Sequence, residues 1–359
     1  MIQKRLLQFF GTTTTVGRII MKVSCGLRQP FRTLAHLMAT AACASALAQP
    51  AEVPATKEGT RIFTLGTQGG PNPSRKRAQP ANAVVVGGNI YLVDAGNGVV
   101  QQMVKAGLDY RRVNQIFITH NHDDHNADWG TLMGLQWSTG RRMAVHVFGP
   151  NGTESMLKGF LQYFEPNARI RRADARVPDA PQDLFRAHDI RDGGLVYQDE
   201  HVKVTAMEVC HFHFDKASPP EGGPHKSFAY RFQTADRVVV FSGDTGKCAS
   251  LVDFARDADI LIHEVVVLPL IEDSLRKYFS SQPGKAPPPG LVADLMRHMA
   301  EDHTTPEDVG KLATAARIKK VVLSHFVPGR DSDPDEAYVD GVKKYYTGPI
   351  VAARDLMEF

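Results

Sequence analysis

Seven consecutive residues constrain this chain more than any other stretch. Thr119-His120-Asn121-His122-Asp123-Asp124-His125 puts three imidazoles and two carboxylates of interest in one turn, directly after the apolar run 114–118. Read as His-x-His-x-Asp-His, with Asp124 as the acid, the segment offers more donors than one tetrahedral zinc accepts. A structural zinc is closed by four ligands and a catalytic one keeps a position open, so this density predicts two metal ions sharing a water. Whatever the fold, it must bring a strand end to a rim lined with donors.

A chain of 359 residues, 43% hydrophobic and 23% charged, is long enough for one large or two ordinary domains and can bury a full core. The first 48 residues stand apart. Lys4, Arg5, Arg18, Lys22, Arg28 and Arg32 are basic, and no Asp or Glu occurs among them. A weakly apolar run over 34–47 leads into Ala46-Leu47-Ala48 before Gln49, the small-x-small form of a signal-peptidase site. This predicts a signal segment over 1–48, cleavage after Ala48, a working domain over 49–359, and a periplasmic or secreted location. Met21 is the alternative start to Met1, because it gives the segment an ordinary signal-peptide length. The run is shorter than the roughly 20 apolar residues that span a bilayer, so no membrane span is expected in the mature chain.

Of 42 Lys+Arg, six lie in that segment, which leaves 36 against 39 Asp+Glu and a mature chain of net charge −3 with His neutral. Such a surface has no general excess of positive charge with which to release counterions from nucleic acid, so nucleic acid is not an expected partner. Arg169, Arg171, Arg172 and Arg176 form a local basic group, read as a solvated face. Cys25 and Cys43 belong to the leading segment. Cys210 and Cys248 remain, both beside the site region, and could pair in an oxidising compartment.

No internal repeat occurs. Short β-type runs recur at 61–65, 83–86, 89–93, 115–118, 144–148, 202–209, 227–232, 237–241, 260–262 and 321–323. Helical stretches fall at 99–106, 131–137 and 306–316. The last has Thr305 as N-cap, Pro306 at the first position, then Glu307 and Asp308 to complement the dipole. Hairpins mixed with helices predict two packed sheets with helices outside. The Pro/Gly-rich stretch 282–290 reads as a loop, since metal-type residues lie on both sides of it.

Those residues stand at strand ends. The run 238–241 enters Ser242-Gly243-Asp244-Thr245, the run 321–323 enters Ser324-His325-Phe326, and the run 202–209 enters Cys210-His211-Phe212-His213. A single Asp after Gly ordinarily forms a turn. Repetition at several strand ends instead predicts one shared, rigidly held centre.

The order His-x-His-x-Asp-His, Val-x-His, Ser-Gly-Asp-Thr, His-Glu, His-Thr-Thr and Leu-Ser-His-Phe resembles the metallo-β-lactamase superfamily, in the ribonuclease Z-like branch that also holds zinc arylsulfatases. Leu65-Gly66-Thr67-Gln68-Gly69-Gly70-Pro71 and Tyr91-Leu92-Val93-Asp94-Ala95-Gly96 match the same branch, and the resemblance covers about residues 59–359. It implies an α+β fold, a four-layer αββα sandwich with its site along the rim of the two sheets. It further implies two Zn²⁺ ions: His120, His122 and His211 on one, Asp124, His125 and His325 on the other, Asp244 bridging. Asp124 is thus a candidate catalytic residue as well as a ligand. His303 resembles the family residue that protonates the leaving group, and Glu264 would orient it by a hydrogen bond. His213 and His225 compete with His211 on position alone; His211 follows the strand directly, as in Val-x-His. The insert 212–226, with His213, Asp215 and His225, is longer than the compact family pattern and would shape the pocket wall.

The expected activity is therefore that of an exported dinuclear zinc hydrolase of sulfate or phosphate esters, arylsulfatase-like, attacking a small-molecule ester through a metal-bridging hydroxide. The alternatives are a lactone or β-lactam hydrolase, a ribonuclease Z-like phosphodiesterase, and a non-enzymatic metal-binding or redox protein. The resemblance implies that an oxygen-reducing di-iron site in this superfamily would put Glu where His122 stands. A homodimer is compatible with the sequence and is not specified by it.

Overall fold

The computed structural model describes residues 59–175, 180–214, 225–281 and 287–359. The expected signal segment, Arg176 and Asp215 lie outside the described residues. The chain divides into Met1–Val53 and Pro54–Phe359, and every element below belongs to the second unit.

Among the described residues the β-type runs assemble two seven-stranded sheets. The first holds β1 (Arg61–Gly66), β2 (Ala81–Val86), β3 (Asn89–Val93), β4 (Val113–Phe117), β5 (Val145–Pro150) and β6 (Phe185–Ile190). The second holds β7 (Gly194–Gln198), β8 (Lys203–Val209), β9 (Ser227–Gln233), β10 (Val238–Phe241), β11 (Ile260–Val266), β12 (Val321–Val327) and β13 (Ile350–Ala352). A last short strand, β14 (Met357–Glu358), returns to the first sheet beside β1. Both sheets begin with antiparallel hairpins and continue in parallel: β1 to β3 then β4 to β6, and β7 to β10 then β11 to β13. The parallel part is where loops must cross over, and each crossover begins at a strand's C-terminal end.

Alternation along the strands explains the layering. Ile62, Val84, Tyr91 and Val93 pack against Phe228, Tyr230, Phe232, Val239 and Ile262 between the sheets. Their neighbours Phe63, Leu65, Ala83, Ile90 and Leu92 turn to the outer face. A strand covered on both faces reads as a continuous apolar run, as these do.

Helices cover the outer faces. α1 (Val99–Lys105), α2 (Asp123–Asn126), α3 (Trp129–Ser138), α4 (Thr153–Ala175) and α5 (Pro181–Leu184) follow strands of the first sheet. Val99, Met103, Leu132, Met133 and Trp137 seal it. On the second sheet lie α6 (Ala249–Phe254), α7 (Leu268–Ser280), α8 (Leu291–Glu301), α9 (Pro306–Ala315) and α10 (Glu336–Lys343). Val309, Ala313, Tyr338 and Val342 pack there on Leu261, Val321 and Leu323. The result is the expected four-layer αββα sandwich. Thr305 caps α9 by accepting from the Asp308 main-chain N–H, as its sequence predicts. The stretch 282–290 falls between α7 and α8, with 282–286 outside the described residues. Arg169, Arg171 and Arg172 are exposed on α4. Among the described residues no helix is long and apolar enough to cross a membrane.

Candidate metal centre

From the first sheet, β4 ends at Phe117 and delivers Thr119 to His125, whose last residues form the single turn α2. The adjacent β3 ends at Val93 and is followed by Asp94, which takes a left-handed φ of 60°. That turn aims its buried carboxylate inward. Asp94 Oδ1 accepts the Thr119 main-chain N–H at 2.8 Å, and Oδ2 lies 2.8 Å from His125 Nδ1. A carboxylate can only accept when ionised, so it holds His125 with Nδ1 as donor and Nε2 facing the site. The motif Tyr91 to Gly96 contains Asp94 but does not by itself announce this role. The signal was there: an acid at the end of an apolar strand.

From the second sheet, β8 leads into His211, β10 into Asp244, β11 carries Glu264 and β12 carries His325. Gly243 allows the turn before Asp244, with φ of 59° and with space that an added Cβ would fill 2.7 Å from the Phe228 oxygen. His325 itself has φ of 48°, and Gly69 passes so near that a Cβ there would lie 2.7 Å from its Nδ1. Both sheets thus press side chains into one small volume.

The seven residues expected as ligands meet there. His120 Nε2 lies 3.0 Å and His211 Nε2 3.3 Å from His122 Nδ1. His125 Nε2 is 3.5 Å from Asp124 Oδ2 and 3.4 Å from Asp244 Oδ2. His325 Nε2 is 3.4 Å and 3.1 Å from the same two oxygens. His120 Nε2, at 3.9 Å from Asp244 Oδ2, joins the two groups through that carboxylate. The sets His120/His122/His211 and Asp124/His125/His325 each keep their donor atoms within 4.8 Å.

Charge and burial suit cations. Burial holds His120 well below the ordinary imidazole range and His211 down to about 4, and partial desolvation lowers the more exposed His122, which favours neutral rings able to donate a lone pair. Against its own burial, Asp124 is drawn down to about 2 by His125 and His325, and Asp244 falls well below the carboxylate range by the same neighbours. His125, also despite burial, is raised well above its usual value by Asp244, Asp124 and Asp94. The positive charge a proton brings to that pocket is charge a cation would bring. Asp124 Oδ2, His125 Nε2, Asp244 Oδ1 and His325 Nε2 are buried without a hydrogen bond to any described residue. Each such atom costs about 1–3 kcal/mol unless something satisfies it. The donor set therefore fits a pair of bound metal ions.

His303 and Glu264 lie beside this set. Glu264 accepts the main-chain N–H groups of Thr245 and Thr304 at 3.2 Å and 3.0 Å, and its Oε2 is 3.2 Å from His303 Nδ1. Against burial, Glu264 and Asp244 raise His303 to about 9. His213 turns away from His211 and meets the Asp302 carboxylate instead. His225 lies outside the donor set, its ring 6.4 Å from Phe212. Cys210 and Cys248 form a disulfide with Cα atoms 5.4 Å apart.

Residues 89–326 match the family model described as the beta-lactamase superfamily domain. Ribonuclease Z of Mycobacterium sp. (strain KMS) is 29% identical over 278 residues, 76% of this chain and 87% of that protein. Ribonuclease Z of Methanosarcina acetivorans is 28% identical over 325 residues, 83% of this chain and 97% of its own. Among solved structures, a metallo-beta-lactamase fold protein from Bacillus subtilis aligns with a TM-score of 0.59 at 16% identity, over 84% of this chain and 98% of that one. The short form of human tRNase Z aligns with a TM-score of 0.56 at 20% identity, over 83% and 98%. At these identities the structural likeness speaks for the fold.

Proposed function

Because the chain belongs to the metallo-β-lactamase superfamily, in its ribonuclease Z-like branch, we propose that it is a phosphodiesterase working at a pair of metal ions. That it is a metal-dependent hydrolase follows from the family itself. The choice of bond is supported by the relatives named Ribonuclease Z. They favour a phosphodiester over the sulfate ester expected first, and they weaken the expectation that nucleic acid is not a partner.

The observation that carries the chemistry is the convergence of donor atoms on either side of Asp244, those of Asp124, His125, Asp244 and His325 being buried without a hydrogen bond to any described residue. His120, His122 and His211 would hold one cation and Asp124, His125 and His325 the other, with Asp244 between them. Imidazole-rich donors suit zinc. When bound, two divalent cations supply Lewis acidity at a phosphoryl oxygen and a water made nucleophilic near neutral pH. The chain's own residues do the rest. Asp94 fixes His125. Glu264, anchored by two main-chain N–H groups, holds His303 through Nδ1, so that its Nε2–H is free to protonate the leaving oxygen. The Glu264 carboxylate on Nδ1, acting against the ring's burial, favours the proton-bearing form.

We also propose export, with a mature domain over 49–359. The acid-free basic leader and the Cys210–Cys248 disulfide support it, since such bridges persist in oxidising compartments. The mass of the protein recovered from its host would show cleavage after Ala48 or its absence.

The test of the activity is a panel: purified zinc-loaded protein with a bis-aryl phosphodiester, precursor tRNA, an aryl sulfate, a lactone and a β-lactam. Turnover of a phosphodiester is expected. Turnover of the sulfate, lactone or β-lactam with neither phosphodiester cleaved would overturn the reading.

A further inference from the structure

Asp302 follows the last residue of α8 and directly precedes His303. Its main-chain oxygen lies 2.8 Å from His211 Nδ1. A carbonyl oxygen only accepts, so His211 donates from Nδ1 and presents the lone pair of Nε2, the atom 3.3 Å from His122. The Asp302 side chain is nine-tenths buried and engages two more imidazoles. Oδ2 is 2.5 Å from His298 Nδ1 on α8, and Oδ1 meets His213 Nδ1 on the segment after β8. One residue therefore grips three imidazoles, all through Nδ1, from two separate stretches of chain. His213 and His298 are themselves about half exposed, with 47% and 42% of their side chains open to solvent.

An acceptor behind a ligating imidazole sets the ring's tautomer and its plane, and losing such a partner weakens metal binding. Main-chain oxygens cannot be mutated away, but they can be moved. The Asp302 carboxylate ties its own peptide to His213, two residues beyond His211, and to the end of α8, so the oxygen facing His211 is pinned from both sides.

We infer that Asp302 is a positioning residue of the metal centre, with His213 and His298 as the clamp that fixes it and, through it, the ring of His211. The inference rests on the reading of His211 as a ligand. His213, a rival for that ligand's place on sequence alone, thereby gains a different task.

Cobalt(II) binding to the full chain tests it, read by the visible absorption of the bound ion and by competition with a chromophoric chelator. Asp302→Ala is expected to lower cation affinity about ten- to hundredfold and to change the absorption spectrum, the scale of losing an outer partner of a ligand. Asp302→Asn, which keeps one acceptor oxygen, should fall between Ala and wild type. If Asp302→Ala does not fold, the double variant His213→Ala/His298→Ala takes its place, with the same loss expected. Wild-type affinity and spectrum in the folded variant overturn the inference alone. A wild-type chain that takes up no cobalt overturns the metal reading, and this inference with it.

Discussion

At the scale of single residues, the centre is mostly a matter of where lone pairs point. His120 and His122 sit two apart, and their ring nitrogens already approach within 3.0 Å. His122→Ala is expected to lower phosphodiester turnover at least roughly a hundredfold, the scale of losing one direct catalytic interaction. Steady-state rates on the metal-loaded variant decide it, and unchanged turnover would remove His122 from the site. The contiguous cluster at 120–125 could be read from the chain because one turn holds all its donors. His211, Asp244 and His325 needed the further observation that each follows an apolar strand. Asp94 and Asp302 escaped because their work is done on other side chains, by hydrogen bonds between segments that no spacing announces. His213 was visible as a rival to His211, but its pairing with Asp302 was not, for the same reason.

At the scale of elements, the apolar strands were legible to within a few residues, since burial on both faces leaves continuous runs. Edges were not. β7 is largely exposed and β6 carries Arg186, His188 and Asp189, so neither stands out as an apolar run. α4 packs a stripe of Leu157, Phe160, Leu161, Phe164 and Ala168 on the first sheet, but Pro166 inside it and its exposed C-terminal half obscure that helical spacing in the sequence. α7 and α8 flank the Pro/Gly-rich stretch that reads as loop.

The turn between β9 and β10 offers an element-level test. Asp236 there accepts from the main-chain N–H of Thr60 at 3.0 Å, just before β1, and also from the hydroxyls of Thr60 and Thr234. It joins a turn of one sheet to the start of the other. Against partial desolvation, those donors hold its carboxyl down to about 2. A folded value below the unfolded one adds stability above about pH 4, and that stability is lost as the pH falls through the folded value. Asp236→Asn is expected to cost roughly 1 kcal/mol at neutral pH, discounted for its exposure, and the gap from wild type should close between about pH 4 and 2. Denaturant unfolding at several pH values measures it; a gap that does not narrow in acid would assign the effect elsewhere.

For the whole molecule, the two sheets meet twice, in the apolar layer between them and at the donor cluster on their rim. His120, His122, Asp124 and His125 come from the first sheet; His211, Asp244 and His325 come from the second. Cations bound there would brace one sheet against the other and would favour the folded state by mass action, by about 2.7 kcal/mol at a hundredfold excess over Kd. Stripping metal with a chelator should therefore lower Tm, and adding zinc back should restore it. A Tm indifferent to both would contradict a centre shared between the sheets. The αββα layering was foreseeable from the resemblance and from hairpins mixed with helices, whereas the matched order of the two sheets was hidden, because no repeat in the residues betrays it.

The Cys210–Cys248 bridge reaches further than its two sulfurs. Cys210 adjoins His211, and its oxygen accepts the Gly246 N–H at 2.7 Å, two residues past Asp244. Donors from separate strands are thus stitched together by a link that dithiothreitol can cut. A reductant that does not itself bind zinc, such as a phosphine, would then be expected to loosen this hydrolase's grip on metal while every ligand stays in place.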